Sequence, residues 1–323
     1  MAETPLLRIT GLTKHFRVGG VFGRVLHAVD DASLTVNAGE IVAVVGESGS
    51  GKSTLARLVA KVFKPTAGEI LFEGRSVADI RSRRDLLAYR GKVPMVFQDP
   101  FASLNPVHKI GYSLRRGLQL HRASLSPAER EAVAQAALES VGLSPAQKNL
   151  EKYPHELSGG QRQRAGFAQA LSLQPKLVLA DEPVSMLDVS IRIGLLNLMA
   201  RLCAEEQISF LYITHDIASA RYVSQRIVVM YAGKIVEMGV TEDVLRQPAH
   251  PYTRLLLSAV PDPKAPLGVD AGEMGEPPLV IEPGEGCRFL RRCPIALGVC
   301  GRVTPALREV AAGHAAACHV TAG

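Results

Sequence analysis

Over roughly the first 260 residues, short apolar runs alternate with helical patterns. Four runs read as buried strands: residues 41–45, 93–97, 177–180 and 210–213. Their unbroken apolar character predicts an α/β domain built around a mainly parallel sheet. A further pair, residues 227–231 and 234–238, flanks Ala232-Gly233 and predicts a hairpin. The first 36 residues alternate more loosely, with Leu7 and Ile9 answered by Leu34 and Val36, and predict an antiparallel edge sheet.

One helix carries a full set of punctuation. Ser126 is the N-cap, Pro127 the first helical residue, Glu129 completes a capping box and Gly142 ends the run. It lies between two chemical motifs, so residues from about 100 to 157 are expected to form an inserted helical subdomain. After residue 260 the texture changes. Pro261, Pro263, Pro266, Pro277, Pro278 and Pro283 crowd residues 261–286, which read as an irregular arm leading to a cysteine-rich tail. The expected division is therefore a domain over 1–260 and an extension over 261–323.

Bulk properties narrow the class. Apolar residues make up 47% of 323, enough for a sizeable core. No apolar run approaches the roughly 20 residues that span a bilayer, and the first five residues lack a secretory pattern. The protein is expected to stay in the cytoplasm. A net charge of +6 admits an anionic partner, but no dense basic run is present and there is no Trp, so nucleic acid is not expected.

Three segments carry chemistry. Gly46-Glu47-Ser48-Gly49-Ser50-Gly51-Lys52-Ser53 follows an expected strand and, with Thr54, opens a helical pattern. Glycines let backbone amides curl around phosphate oxygens at a positive helix start. Lys52 would reach the β- and γ-phosphates of ATP, and the Ser53 hydroxyl would bind Mg²⁺. The apolar run 177–180 ends in Asp181-Glu182. Asp181 suits water-mediated Mg²⁺ binding, and Glu182 suits polarising an attacking water. Leu157-Ser158-Gly159-Gly160-Gln161 begins another helix, and so makes another anion-binding start.

That last segment resembles the signature of the ABC ATPases, a branch of the P-loop NTPases. The resemblance implies that Ser158, Gly159, Gly160 and Gln161 cap the γ-phosphate held by an opposing subunit. It also implies that Gln98 touches Mg²⁺ and the attacking water, that His215 contacts the γ-phosphate, that Asp188 lies in the subunit-contacting loop and that Phe16 stacks on adenine. Phe97-Gln98-Asp99-Pro100, Ser103-Leu104-Asn105-Pro106, Tyr153-Pro154-His155-Glu156-Leu157 and His250-Pro251-Tyr252-Thr253 resemble the oligopeptide/dipeptide/nickel importer ATPases. The start, with Lys14-His15-Phe16, is most similar to the F-type member of their D/F pair.

Such a resemblance implies a motor on the cytoplasmic face of the membrane. Its partners would be a paralogous ATPase or a second copy of itself, two permease subunits and an extracytoplasmic substrate-binding protein. A regulatory or non-transport ABC ATPase with a metal-binding tail is the alternative. Chromosome-associated ABC proteins would need long coiled coils, and translation factors two cassettes; the sequence has neither. The tail carries Cys287, Cys293, Cys300 and Cys318. Disulfides are disfavoured in the cytoplasm, and the close cysteine pair of common zinc sites is missing. Four thiolates also suit an iron–sulfur cluster. The family resemblance implies a [4Fe–4S] cluster; Zn²⁺ and unliganded thiols stay open.

Overall fold

The computed structural model describes residues 4–19, 23–99, 104–259 and 280–321. The chain opens with β1 (Leu7–Val18), β2 (Arg24–Val36) and β3 (Ile41–Val45), then helix α1 (Lys52–Val59), β4 (Ala67–Phe72) and β5 (Arg75–Ser76). Helix α2 (Arg83–Lys92) and the short strand β6 (Met95–Val96) precede α3 (Ile110–His121), α4 (Pro127–Ser140), α5 (Ala146–Leu150) and α6 (Gly159–Leu171). Next come β7 (Leu177–Asp181), α7 (Val189–Glu206), β8 (Ser209–Thr214), α8 (Ile217–Val223), β9 (Arg226–Tyr231) and β10 (Lys234–Val240). The last elements are α9 (Thr241–Arg246), α10 (Pro251–Ser258), β11 (Arg308–Ala311) and β12 (His314–Ala316).

Two compact units result, one from the described residues of 1–36, 42–77 and 214–323, the other from residues 37–41 and 78–213. In the first, β2-β1-β4-β5 form the antiparallel sheet expected near the N-terminus. Its other strands run in the order β11-β12-β10-β9-β3, with β3 parallel to β9 and the remaining neighbours antiparallel. In the second unit β6, β7 and β8 pair in parallel. Every residue of β3, β7 and β8 is buried, which is why these runs are apolar without alternation.

The expected hairpin turns at Ala232 (φ 48°) and Gly233 (φ 84°), the doubly left-handed backbone that matches strand twist. Helix α4 starts as expected. Glu129 N donates to Ser126 Oγ at 3.3 Å, and Ser126 N donates to the Glu129 carboxylate at 2.7 Å. The strand expected over 93–97 shrinks to Met95–Val96. Val93 caps α2, and Pro94 has no N–H to give a ladder. The tail holds a hairpin that the sequence pattern did not announce: β12 adds to β10, pairing Ala316 with Glu237. The proline-rich arm lies outside the described residues up to 279. Among the described residues no helix is long and apolar enough to cross a membrane.

Candidate functional site

In the first unit, buried β3 delivers the chain into residues 46–51, and α1 begins at Lys52. Two glycines are compulsory. A Cβ on Gly46 (φ 153°) would lie 2.1 Å from the Met230 carbonyl oxygen, and one on Gly51 (φ 102°) 2.3 Å from that of Ala28. No side chain caps α1 and its first turn has no acidic residue, so the helix start keeps its positive character for an anion. The buried Lys52 ammonium donates to the carbonyls of Gly46 at 2.7 Å and Glu47 at 2.8 Å.

Glu47 is gripped from several directions. Its N–H donates to the Tyr252 hydroxyl oxygen at 2.8 Å, and its carboxylate receives both Arg292 Nη atoms, at 2.7 and 2.9 Å. Burial pushes the Tyr252 phenol up, so its proton stays on. Phe289, buried in the tail, packs against Tyr231, Tyr252 and His250 with ring centroids at 5.2, 5.6 and 5.6 Å. The His250 ring accepts from Tyr252 N at 3.0 Å, while Glu237 accepts from His250 N at 2.9 Å and pairs with His314 of β12 at 2.7 Å. Burial lowers His250 to about 4, so its ring is neutral.

Phe16 lies on half-exposed β1, edge-on to Phe63 at 5.3 Å and with Lys14 4.9 Å from its ring centre. His215 is exposed just after β8, and the following Asp216 caps α8 by accepting from Ala218 and Ser219 amides. His15, His27 and Asp30 form a cluster whose ligand atoms lie within 4.8 Å of one another. Burial raises the Asp30 carboxyl, but hydrogen bonds from His15 and His27 and the Arg288 guanidinium bring it to about 2. With Arg288 already on this carboxylate, the cluster serves as a hydrogen-bonded strut between β1, β2 and the tail.

In the second unit, β7 ends in buried Asp181, and Glu182 turns the chain with a left-handed backbone (φ 47°). Strain of this kind gathers at functional positions. Gln98 Nε2 donates to the Glu182 carboxylate at 3.0 Å, and the Ser185 hydroxyl donates to the Glu182 carbonyl at 3.0 Å. The carboxylate and the glutamine are thus brought together. Helix α6 starts from a capping box that the motif reading overlooked. Gln161 N donates to Ser158 Oγ at 3.3 Å, and Ser158 N donates to the Gln161 side chain at 3.0 Å. Two residues on, buried Gln163 donates to the Phe97 carbonyl at 3.1 Å, tying this helix to the segment that carries Gln98. Asp188 caps α7 without a side-chain bond and is exposed, as are Met186 and Val189 beside it, each 69%.

In the tail, Cys287 N donates to the Cys300 carbonyl at 2.7 Å. Burial pushes the Cys287 thiol up, the Phe289 amide pulls it down, and Cys300, Cys293 and Cys318 are near enough to push it up again. Burial likewise raises Cys293, against a hydrogen bond from the Ile295 amide. Among the described residues no three cysteine sulfurs lie mutually within 4.8 Å.

Comparison with known proteins identifies the family. The family described as ABC transporter matches residues 29–185, and the oligopeptide/dipeptide transporter C-terminal region matches residues 236–300. A putative peptide import ATP-binding protein of Brucella ovis is 44% identical over 98% of this chain and 98% of its own. The chain is a member of the ABC transporter ATP-binding family. The oligopeptide transport ATP-binding protein AppF of Bacillus subtilis is 40% identical over 98% of both chains. A dimeric ATP-binding cassette solved in a post-hydrolysis state with ADP and Pi shares the fold at TM-score 0.66 and 29% identity, covering 73% of this chain and 98% of that one.

For this ABC protein, the residues that the motifs did not single out are Tyr252, Glu237, Arg288, Arg292 and His314. Tyr252 sits in His250-Pro251-Tyr252-Thr253, which carried the resemblance but not a role. Arg292 directly precedes Cys293-Pro294, the one local hint that it is held in a fixed direction.

Proposed function

We propose that the chain is the ATP-hydrolysing motor subunit of an importer for peptides or similar small solutes, working through separate permease subunits. The observation that carries this reading is the coexistence of an anion-binding helix start with Lys52, a strained Glu182 held by Gln98, and a second glycine-led helix start at Ser158. The near-complete match to relatives named as peptide import ATP-binding proteins supplies the cargo class.

In this reading the amides of 46–54 and Lys52 hold the β- and γ-phosphates. Ser53, Gln98 and Asp181 would hold Mg²⁺, which would offset the charge on the phosphates, and Phe16 would stack on the base. Water attacks the γ-phosphorus as Glu182 accepts its proton, ADP leaves, and His215 steadies the γ-phosphate. Ser158, Gly159, Gly160 and Gln161 complete the site of a second subunit, reached through Asp188 and the apolar Met186–Val189 surface. That subunit is a paralogue or a second copy, with this chain as the F-type member. Helices α3 to α5, expected as an inserted helical subdomain over 100–157, would meet the permease on the cytoplasmic face, and an extracytoplasmic binding protein would supply cargo.

The tail over 261–323 is inferred to be a metal-binding extension. Its chemistry fits four thiolates on one cluster: the cysteines influence one another, and backbone amides of Phe289 and Ile295 reach two of the sulfurs. The proposed group is a [4Fe–4S] cluster, with a single Zn²⁺ on the same four sulfurs as the alternative. Cys287, Cys293, Cys300 and Cys318 would hold it. Anaerobically purified protein is expected to be brown with about four iron atoms per chain, and Cys293→Ser to bleach it; colourless protein with one zinc would reject the cluster. Function is tested by reconstituting the chain with its neighbouring permeases in vesicles. ATP-dependent peptide uptake that stops with Glu182→Gln supports the reading, and ATP turnover without any uptake overturns it.

A further inference from the structure

We propose that the turn carrying Cys287 and Cys293 is a lever on the phosphate loop, with Arg292 as the positioning residue that sets how tightly the loop holds nucleotide. This rests on the nucleotide role of residues 46–53 and, for its second half, on the cysteines forming one site.

Glu47 is the only acidic residue of the loop. A carboxylate at an anion site opposes the triphosphate unless its charge is cancelled. Arg292 cancels it through two parallel hydrogen bonds, with the guanidinium 11% and the carboxylate 25% exposed. The same guanidinium rests 5.7 Å from the Tyr231 ring centre and 5.9 Å from that of Phe289, which restricts where it can point. The Glu47 amide is meanwhile bound to Tyr252 and its carbonyl to Lys52. When Lys52 turns to the phosphates, Tyr252 and Arg292 remain to keep the loop in shape.

Arg292 is fixed by its own turn. Leu290 N donates to the Cys287 carbonyl at 3.1 Å, Arg292 N to that of Phe289 at 2.9 Å, and Cys293 N to that of Leu290 at 3.2 Å. A cysteine stands at each end of this tight turn, and Phe289 wedges it among Tyr231, Tyr252 and His250. Whatever gathers the sulfurs therefore stiffens the segment that aims Arg292. Releasing them lets the guanidinium leave Glu47, and the loop then presents an unneutralised carboxylate to ATP.

The test uses the full chain and MgATP binding by calorimetry, with thermal midpoint and iron content measured alongside. Arg292→Ala should weaken MgATP binding about tenfold, and Arg292→Lys should recover only part of it, because an ammonium cannot make the paired bonds. Adding Glu47→Gln to Arg292→Ala should restore much of the affinity by removing the orphaned charge. Cys293→Ser should weaken binding in the wild-type background and add nothing in the Arg292→Ala background. A thermal midpoint within the wild-type range keeps these losses from being mere unfolding. Unchanged affinity in Arg292→Ala, or a double variant no better than Arg292→Ala, overturns the clamp. A metal-free Cys293→Ser protein with full affinity overturns the lever. Wild-type protein lacking metal would defeat the cysteine reading, while the Arg292 and Glu47 variants still report on the clamp.

Discussion

Two glycine-led helix starts in this molecule are finished differently. The start of α1 has no side-chain cap and a left-handed Gly51, and its loop is tied down by Tyr252 and Arg292 from the same unit. The start of α6 satisfies itself through the box between Ser158 and Gln161. An uncapped start on a braced loop is prepared to hold its ligand alone. A self-capped start is stable without one, which suits the role proposed for it, meeting nucleotide only when another subunit brings it. On the proposed function, the first start would be a resident nucleotide site and the second a visiting one.

The sharpest way to separate the regions is Glu182→Gln. Turnover should fall by about 10² to 10⁴, the contribution of a positioned general base, while MgATP binding at the α1 start persists. Loss of binding together with turnover, in a calorimetric titration, would break the division of labour. Next in size, Gly46→Ala must displace the Met230 carbonyl and should weaken nucleotide binding by more than about tenfold. Its counterpart Gly159→Ala meets nothing within 4 Å at a Cβ and should leave the chain's own nucleotide binding unchanged. Equal binding losses in both variants would erase the contrast.

Acid should act on the braced region through His250. Its folded pKa of about 4 lies below the unfolded value of 6.5. Between those values the unfolded chain binds a proton that the folded chain refuses, so stability is full above pH 6.5 and falls as pH drops toward 4. The slope approaches about 1.4 kcal/mol per pH unit within the window. Urea midpoints measured from pH 7 to 4.5 should show it, and His250→Asn, which can still cap α10, should flatten it; an equally steep decline in the variant would assign the acid sensitivity elsewhere. The smallest effect belongs to Ser158→Ala, which removes a cap worth about 1 kcal/mol and should lower the thermal midpoint by a few degrees. Calorimetry of the same variant should find the chain's own MgATP affinity intact.

Elements whose causes are local were legible from the residues alone. Ser126, Pro127 and Glu129 satisfy the first amides of α4 within three residues, and Ala232-Gly233 supplies the backbone that the β9–β10 turn demands. Buried β3 and β7 declare themselves by unbroken apolar runs, and residues 46–53 by the spacing of their glycines before Lys52-Ser53. Tertiary structure alone decided which distant side chains meet. Glu47 and Arg292 are separated by 245 residues and Glu237 and His314 by 77, and each pair consists of residue types that are ordinarily solvated. No periodicity marks them, because their burial comes from the tail folding onto its unit. The hairpin β11–β12 was hidden for the same reason: its strands are short, β11 is mostly exposed, and only the open edge of β10 gives β12 a ladder to join.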